Sequence, residues 1–201
     1  LSGTLGYGLV YVFDRIGNSF NQVGILTGSL AINSSDRFGD SVAASYDGKS
    51  IIVGAPNDEK TGSGSGSGVV YIFDRIGNSF NQVGILTGSF ASDASDSFGS
   101  SVATSADGKS IVVGAQYDET GASLSTGVVY VFDRTGNSFN QVGILTSSGG
   151  NVFFGHAVSA SADGKTIASY PYGGSYVSIH KREGNSFNEV TRISYTGNLA
   201  E

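Results

Sequence analysis

GVVYIFDRIGNSFNQVGILTGS, residues Gly68–Ser89, is the stretch that decides the fold. It returns as GVVYVFDRTGNSFNQVGILTS at Gly127–Ser147, and it occurs earlier as GLVYVFDRIGNSFNQVGILTGS at Gly8–Ser29. A drifted form, SYVSIHKREGNSFNEVTRIS, occupies Ser175–Ser194. A second segment alternates with it. FGDSVAASYDGKSIIVGAP at Phe38–Pro56 returns as FGSSVATSADGKSIVVGAQ at Phe98–Gln116 and as FGHAVSASADGKTIASYPY at Phe154–Tyr172. Tyr11 to Tyr71 is 60 residues and Tyr71 to Tyr130 is 59, whereas Gly136 to Gly184 is 48. Most of the missing length is the Gly/Ser-rich connection at 57–68 and 117–127, of which the last copy keeps only Gly173 and Gly174. A segment that vanishes while its flanks persist is a surface loop.

Each full copy carries four strand signals. Ser41–Ser45 is short and alternating, and Ile51–Ala55 is a continuous apolar run suited to a strand buried on both faces. Val69–Asp74 is rich in β-branched and aromatic residues, and Asn81–Leu86 is the fourth. Asp47-Gly48, Asp107-Gly108 and Asp163-Gly164 separate the first two signals, which predicts a type I′ hairpin turn. The Gly-Asn-Ser at Gly77–Ser79 marks the turn before the fourth. No segment keeps a helical apolar period over three turns, so almost no helix is expected.

Composition bounds the function. Hydrophobic residues are 39% of the 201 and charged residues 14%, which is too apolar for disorder. No apolar run reaches the roughly 20 residues of a membrane helix, so no membrane insertion is expected. Net charge is -6 with 11 basic residues and no basic stripe, which argues against nucleic acid as a partner. There is no Cys, so disulfides and thiolate metal sites are excluded. The chain starts at Leu1 without Met or a signal-like stretch and reads as a mature or excised piece of something longer.

Four antiparallel strands per unit, in a period slightly above the roughly 40 to 50 residues of common propeller repeats, predict an all-β fold: a β-propeller of four-stranded antiparallel blades. A β-sandwich needs no such period. The tally is about 3.5 blades, as a half-blade 1–37 and blades at about 38–97, 98–153 and 154–201. That is a partial propeller or half of a seven-bladed ring, so further blades, other protein chains or a homodimer are the expected partners.

At these residues the sequence resembles the FG-GAP repeat family, whose best-known members form the propeller head of integrin α chains. The motifs are Phe38-Gly39 with Gly54-Ala55-Pro56, and Phe98-Gly99 with Gly114-Ala115, where Gln116 replaces Pro. The third copy keeps Phe154-Gly155 but has Tyr170-Pro171-Tyr172 at the GAP position. The resemblance implies a propeller used in adhesion or protein interaction, at a cell surface or in another extracytoplasmic setting. Integrin-type repeats carry an Asp-rich calcium loop before the GAP strand. Here that place is Tyr46-Asp47-Gly48-Lys49, as in the short variants with a plain hairpin. One Asp beside a Lys does not supply the six to eight oxygens that Ca²⁺ takes.

Other candidate sites have competing readings. Asp58, Glu59, Asp118 and Glu119 open the Gly/Ser-rich loops and keep calcium open as a cofactor, but they read first as solubilising charge on a solvated connection. Asp-Arg at 14–15, 74–75 and 133–134 reads as edge protection and turn entry, with an ion-pair ladder between blades as the alternative. Phe20, Phe80, Phe139 and Phe187 read as core between blades ahead of a carbohydrate platform. His156 and His180 lie in the drifted copy without a companion catalytic motif, so no enzyme is expected. Asn33-Ser34-Ser35 is a glycosylation sequon in an expected surface loop. The leading expectation is a non-enzymatic adhesion module. A structural subunit tiling within a larger complex, and a lectin-like or hydrolytic propeller, are the alternatives.

Overall fold

The computed structural model describes residues 8–31, 35–59, 66–91, 95–119, 126–147 and 152–194. These hold fourteen strands and no helix. β1 (Val10–Ile16) and β2 (Ser19–Leu26) form a two-stranded sheet. Three four-stranded sheets follow. The first is β3 (Ser41–Ala44), β4 (Ser50–Ala55), β5 (Val69–Ile76) and β6 (Ser79–Leu86). The second is β7 (Phe98–Thr104), β8 (Ser110–Ala115), β9 (Val128–Thr135) and β10 (Ser138–Thr146). The third is β11 (Phe153–Ala160), β12 (Thr166–Tyr172), β13 (Tyr176–Glu183) and β14 (Ser186–Ser194). Every neighbouring pair is antiparallel and sequential, so each sheet is a meander, and together they are successive blades of a β-propeller. The first strand of each blade packs on the first strands of its neighbours, β3 on β7 and β7 on β11, which makes it the inner strand.

The two faces of each blade build different interfaces, because side chains alternate along a strand. Tyr71 and Phe73 point to the face shared with Phe38, Val10 and Val12 of the preceding side. Val70 and Ile72 point the other way, into a cluster with Phe98, Val113 and Tyr130 of the next blade. Both sets are fully or nearly fully buried, which explains why VVYIF reads as a continuous apolar run. The FG phenylalanines fill these interfaces edge-on: Phe38 meets Tyr71 at 5.4 Å and Phe73 at 6.1 Å, and Phe98 meets Tyr130 and Phe132 in the same way.

The Asp-Gly turns differ from the expected type I′. That turn needs positive φ at both central residues. In each copy only the glycine is left-handed, Gly48 at φ 66°, Gly108 at 71° and Gly164 at 68°, and the preceding Asp is not. The turn spans Ser45–Lys49 and closes with the Gly48 N–H donating to the Ser45 carbonyl at 3.0 Å. Asp47 Oδ1 accepts from Ser45 Oγ (2.8 Å) and from the Lys49 N–H (3.0 Å). The Asp side chain thus caps a wider turn in place of a two-residue one.

Candidate functional site

Meander topology sends β3–β4 and β5–β6 turns to one end of the blades, and the β4–β5 and β6–β7 connections to the other. The two ends carry different chemistry.

At the turn end, the Asp-Arg pairs form the ladder between blades that edge protection alone would not require. Arg75 grips Asp14 of the preceding blade with both terminal nitrogens, each at 2.7 Å. Arg182 grips Asp133 in the same way at 2.7 Å, and Arg134 grips Asp74, its Nη1 at 2.8 Å from Oδ1. Each guanidinium also stacks over the phenylalanine of its own blade: Arg75 on Phe80 at 5.4 Å, Arg134 on Phe139 at 5.2 Å, Arg182 on Phe187 at 5.3 Å. Those rings press on glycines of the preceding blade, Gly24, Gly84 and Gly143, where the fourth strand bulges. The repeated phenylalanines are therefore core between blades, except Phe20, which is exposed. The Arg134 bond holds the Asp74 carboxyl below the usual range, against burial. A groove of about 610 Å³ lies here between two blades. Its charged walls are already committed: Asp74 to Arg134, Lys49 to Asp47 at 3.2 Å and Lys109 to Asp107 at 3.4 Å.

At the opposite end lies a cleft of about 220 Å³ lined by Arg37, Asp40, Pro56, Ser97, Ser100, Gln116, Tyr117 and His156. These residues occupy repeat positions at which every copy differs. Arg37 corresponds to Ser97 and Phe153, Asp40 to Ser100 and His156, Pro56 to Gln116 and Tyr172, and Asn57 to Tyr117 and Gly173. The sequence puts the copies in register but does not show that their differences converge in space. His156 Nδ1 lies 2.6 Å from Gln116 Oε1. Tyr117 meets Phe153 edge-on at 5.1 Å, and Tyr172 stacks on Phe153 at 6.2 Å and sits 5.3 Å from His156. Tyr117 and Tyr172 are both exposed. Asp40 is the one carboxylate among the described residues of the lining, and Arg37 pairs with it at 2.8 Å. Rings with polar tips around hydrogen-bonding side chains make a recognition surface.

The four loop carboxylates are placed differently from a solvated connection. Asp58 and Asp118 are fully buried, while Glu59 and Glu119 are half-buried. Asp58 accepts from the Tyr71 hydroxyl and from the Glu59 N–H, and Asp118 from the Tyr130 hydroxyl and the Glu119 N–H. Burial raises the Asp58 pKa, and pushes that of Asp118 up to about 6, with Asp36 and Asp96 adding like charge nearby. Each carboxylate serves as a polar anchor to a core tyrosine, Asp58 from the β4–β5 loop and Asp118 from the β8–β9 loop. The remaining loop residues, 60–65 and 120–125, and Asn33 of the sequon lie outside the described residues.

The turn residues do not fit a calcium ion. Asp47 is spent on Ser45 and the Lys49 N–H, and Lys49 Nζ stands 3.2 Å from it. Among the described residues, no three His, Asp or Glu side chains gather closely enough to hold a metal. His180 replaces the phenylalanine of the other copies, is buried edge-on against Phe154 at 5.9 Å, and lines neither the groove nor the cleft.

The fold is shared with solved structures, among them a β-propeller domain. A proposed 6-phosphogluconolactonase from Bacteroides uniformis superposes with a TM-score of 0.65 at 13% identity, over 94% of this chain and 50% of that one. The β-propeller domain of Cps50 (Swd1) from Myceliophteria thermophila gives 0.62 at 12%, over 94% and 54%. A protein from Lactobacillus plantarum gives 0.61 at 16%, over 94% and 52%. The chain thus spans about half the length of these structures. No curated protein matches it. The FG-GAP repeat family matches residues 21–73 and 80–132, more than half of the chain. With the FG and GA glycines of successive blades in contact, this chain belongs to the FG-GAP repeat family and folds as successive blades of a β-propeller.

Proposed function

We propose that this chain is a non-enzymatic interaction module of the adhesion type, acting in an extracytoplasmic setting, and that it recognises its partner through the cleft where its copies diverge. The observation that carries this is the contrast between the two ends. At the turn end each of the three four-stranded blades repeats the same ion pair on the same ring. At the cleft, positions 40, 100 and 156 hold Asp, Ser and His, and positions 56, 116 and 172 hold Pro, Gln and Tyr. Packing alone would be satisfied by repetition, so an asymmetric surface suits an asymmetric partner. The adhesion role and the setting draw on the resemblance to integrin α heads. Against glycoside hydrolysis stands the lining itself, whose single carboxylate among the described residues is ion-paired with Arg37, where that cleavage uses two.

A second reading has its own observation. The exposed rings of Tyr117 and Tyr172 beside Gln116 and His156 suit a sugar, which presents an apolar face and a hydroxyl rim. The test is an array of glycans and of matrix and envelope proteins, probed with the chain and with a Tyr117→Ala/His156→Ser variant. Protein hits lost in the variant, with its unfolding midpoint unchanged, support the first reading. Glycan hits lost in the variant support the second. Binding that the variant retains, or no binding at all, overturns the assignment of the cleft.

A further inference from the structure

Each junction between blades has an outgoing side and an incoming side. The outgoing side offers three acceptors: the GA glycine (Gly54, Gly114), the Asp of the third strand (Asp14, Asp74, Asp133) and the bulge glycine of the fourth (Gly24, Gly84, Gly143). The incoming side inserts the backbone of the FG glycine, the Arg and the Phe. A Cβ on Gly54 would stand 2.0 Å from the Gly99 carbonyl oxygen, and one on Gly114 would stand 2.0 Å from that of Gly155. A Cβ on Gly84 would stand 2.4 Å from the Phe139 ring. All three contacts therefore require the acceptor residue that is there.

The last blade keeps its incoming side and has lost all three acceptors. Arg182 holds Asp133, Phe187 sits on Gly143, and Ser101 Oγ donates to the Gly155 carbonyl at 2.8 Å. On its outgoing side Tyr170 stands at the GA glycine, Lys181 at the Asp and Thr191 at the bulge glycine. A further repeat would meet a phenol ring at its FG backbone, a cation at its Arg and a branched side chain at its Phe.

The β1–β2 half-blade is the reverse case. Its outgoing side is in use, and its incoming set is intact: Arg15 lies over Phe20 at 5.9 Å, and Phe20 is 67% exposed. β1 reads VYVFDRI and β5 reads VVYIFDRI, yet among the described residues β5 is paired on both edges and β1 on one. Tyr11 is 51% exposed where Tyr71 is 0%. In the full blades the chain enters β5 and β9 through left-handed Gly68 (φ 96°) and Gly127 (φ 77°), and it enters β1 through Gly8 (φ 86°). Gly8 backs onto the Phe38 carbonyl as Gly68 does onto that of Phe98. In a second copy the strands equivalent to the missing neighbour, β4, β8 and β12, are each paired on both sides already.

We propose that the array is polar: β1 takes an FG-GAP hairpin of the β3–β4 kind, joined upstream through Gly8, while the outgoing face of β11–β14 excludes another blade of this repeat. Two fusions of the whole chain test it. One replaces residues 1–8 with a copy of residues 38–68. The other appends a copy of residues 28–86 after Ser194, so that the connection between blades is kept. Amide hydrogen exchange and the unfolding midpoint are read for both. The upstream fusion is expected to slow exchange of the β1 amides at least tenfold and to raise the midpoint. The downstream fusion is expected to leave β12–β14 exchange and the midpoint unchanged. Introducing Y170G, K181D and T191G into the downstream fusion is expected to let the appended blade dock and protect those strands. Unprotected β1 in the first fusion, or protection of β12–β14 in the unsubstituted second, overturns the proposal. If the triple variant does not fold, these two fusions alone decide.

Discussion

Gly54 of one blade lies against Gly99 of the next: Ser41 Oγ donates to the Gly99 carbonyl at 2.7 Å, and that carbonyl oxygen occupies the space of any Gly54 side chain. The GA and FG motifs are thus two halves of one contact, made between neighbouring repeats. G54A is expected to destabilise by about 1–3 kcal/mol or more through overpacking. G77A, at φ 63° with nothing within 4 Å, loses only the left-handed conformation, about 1–2 kcal/mol. Urea unfolding of both, with exchange of the β7 amides, separates the two: only G54A loosens β7.

Arg134 and Asp74 couple neighbouring blades through a mostly buried fork, with side-chain exposures of 11% and 24%. A double-mutant cycle on R134A and D74A is expected to give a coupling of about 1–3 kcal/mol. R134K does not restore it, because an ammonium lacks the two-pronged donor geometry. A coupling indistinguishable from zero would return the pair to the role of edge protection.

His180 titrates against folding. Burial lowers its pKa below the ordinary 6.5, so the native state binds fewer protons than the unfolded chain. Its contribution is whole above pH 6.5 and is lost as pH falls below that value, until the folded pKa is passed. H180F, the residue of the other copies, is expected to flatten the loss of midpoint between pH 6.5 and 5. A wild-type slope that persists in H180F would place the titration elsewhere.

Asp118 works in the opposite sense. Its folded pKa, raised by burial to about 6, lies above the ordinary 3.8, so the stability it supports at low pH is lost as pH rises from 3.8 through about 6. D118N keeps an acceptor for the Glu119 N–H and a partner for the Tyr130 hydroxyl. It is expected to equal the wild type near pH 3.5 and to exceed it above pH 6 by on the order of 1–3 kcal/mol. A difference independent of pH would refute the raised pKa.

Tyr130 closes the same anchor from the core side. Its hydroxyl donates to buried Asp118, so Y130F leaves that carboxylate short of a donor. A loss of about 1–3 kcal/mol is expected, growing as Asp118 ionises above pH 6, against a smaller loss for the same change at half-exposed Tyr11.

Much of the fold was legible because the chain repeats itself. Near-identical 60-residue units with four strand signals left little choice but blades, and the family motifs lay in order along them. The Asp-Gly turns are legible in the sequence, but their type is not. Sequence shows that Asp47 precedes Gly48; whether Asp47 also turns left-handed depends on the carboxylate, which here caps Ser45 and Lys49 instead. The burial of Asp58 is hidden in the sequence for a related reason. Beside Asn57 and Glu59 it looks like a solvated loop, and nothing local announces that Tyr71, thirteen residues on, reaches back to bury it.

The sequence by itself determined the strands, their antiparallel order and the repeat, since all of these follow from local periodicity and from turns a few residues long. Only the tertiary structure decided what the repeats do to one another. Arg134 lies 60 residues from Asp74, and Gly99 lies 45 from Gly54; both contacts exist because blades stack at a fixed offset. The cleft arises the same way. Gln116 and His156 are 40 residues apart and meet because the inner strands bring the ends of neighbouring blades together, at the positions where the copies ceased to match.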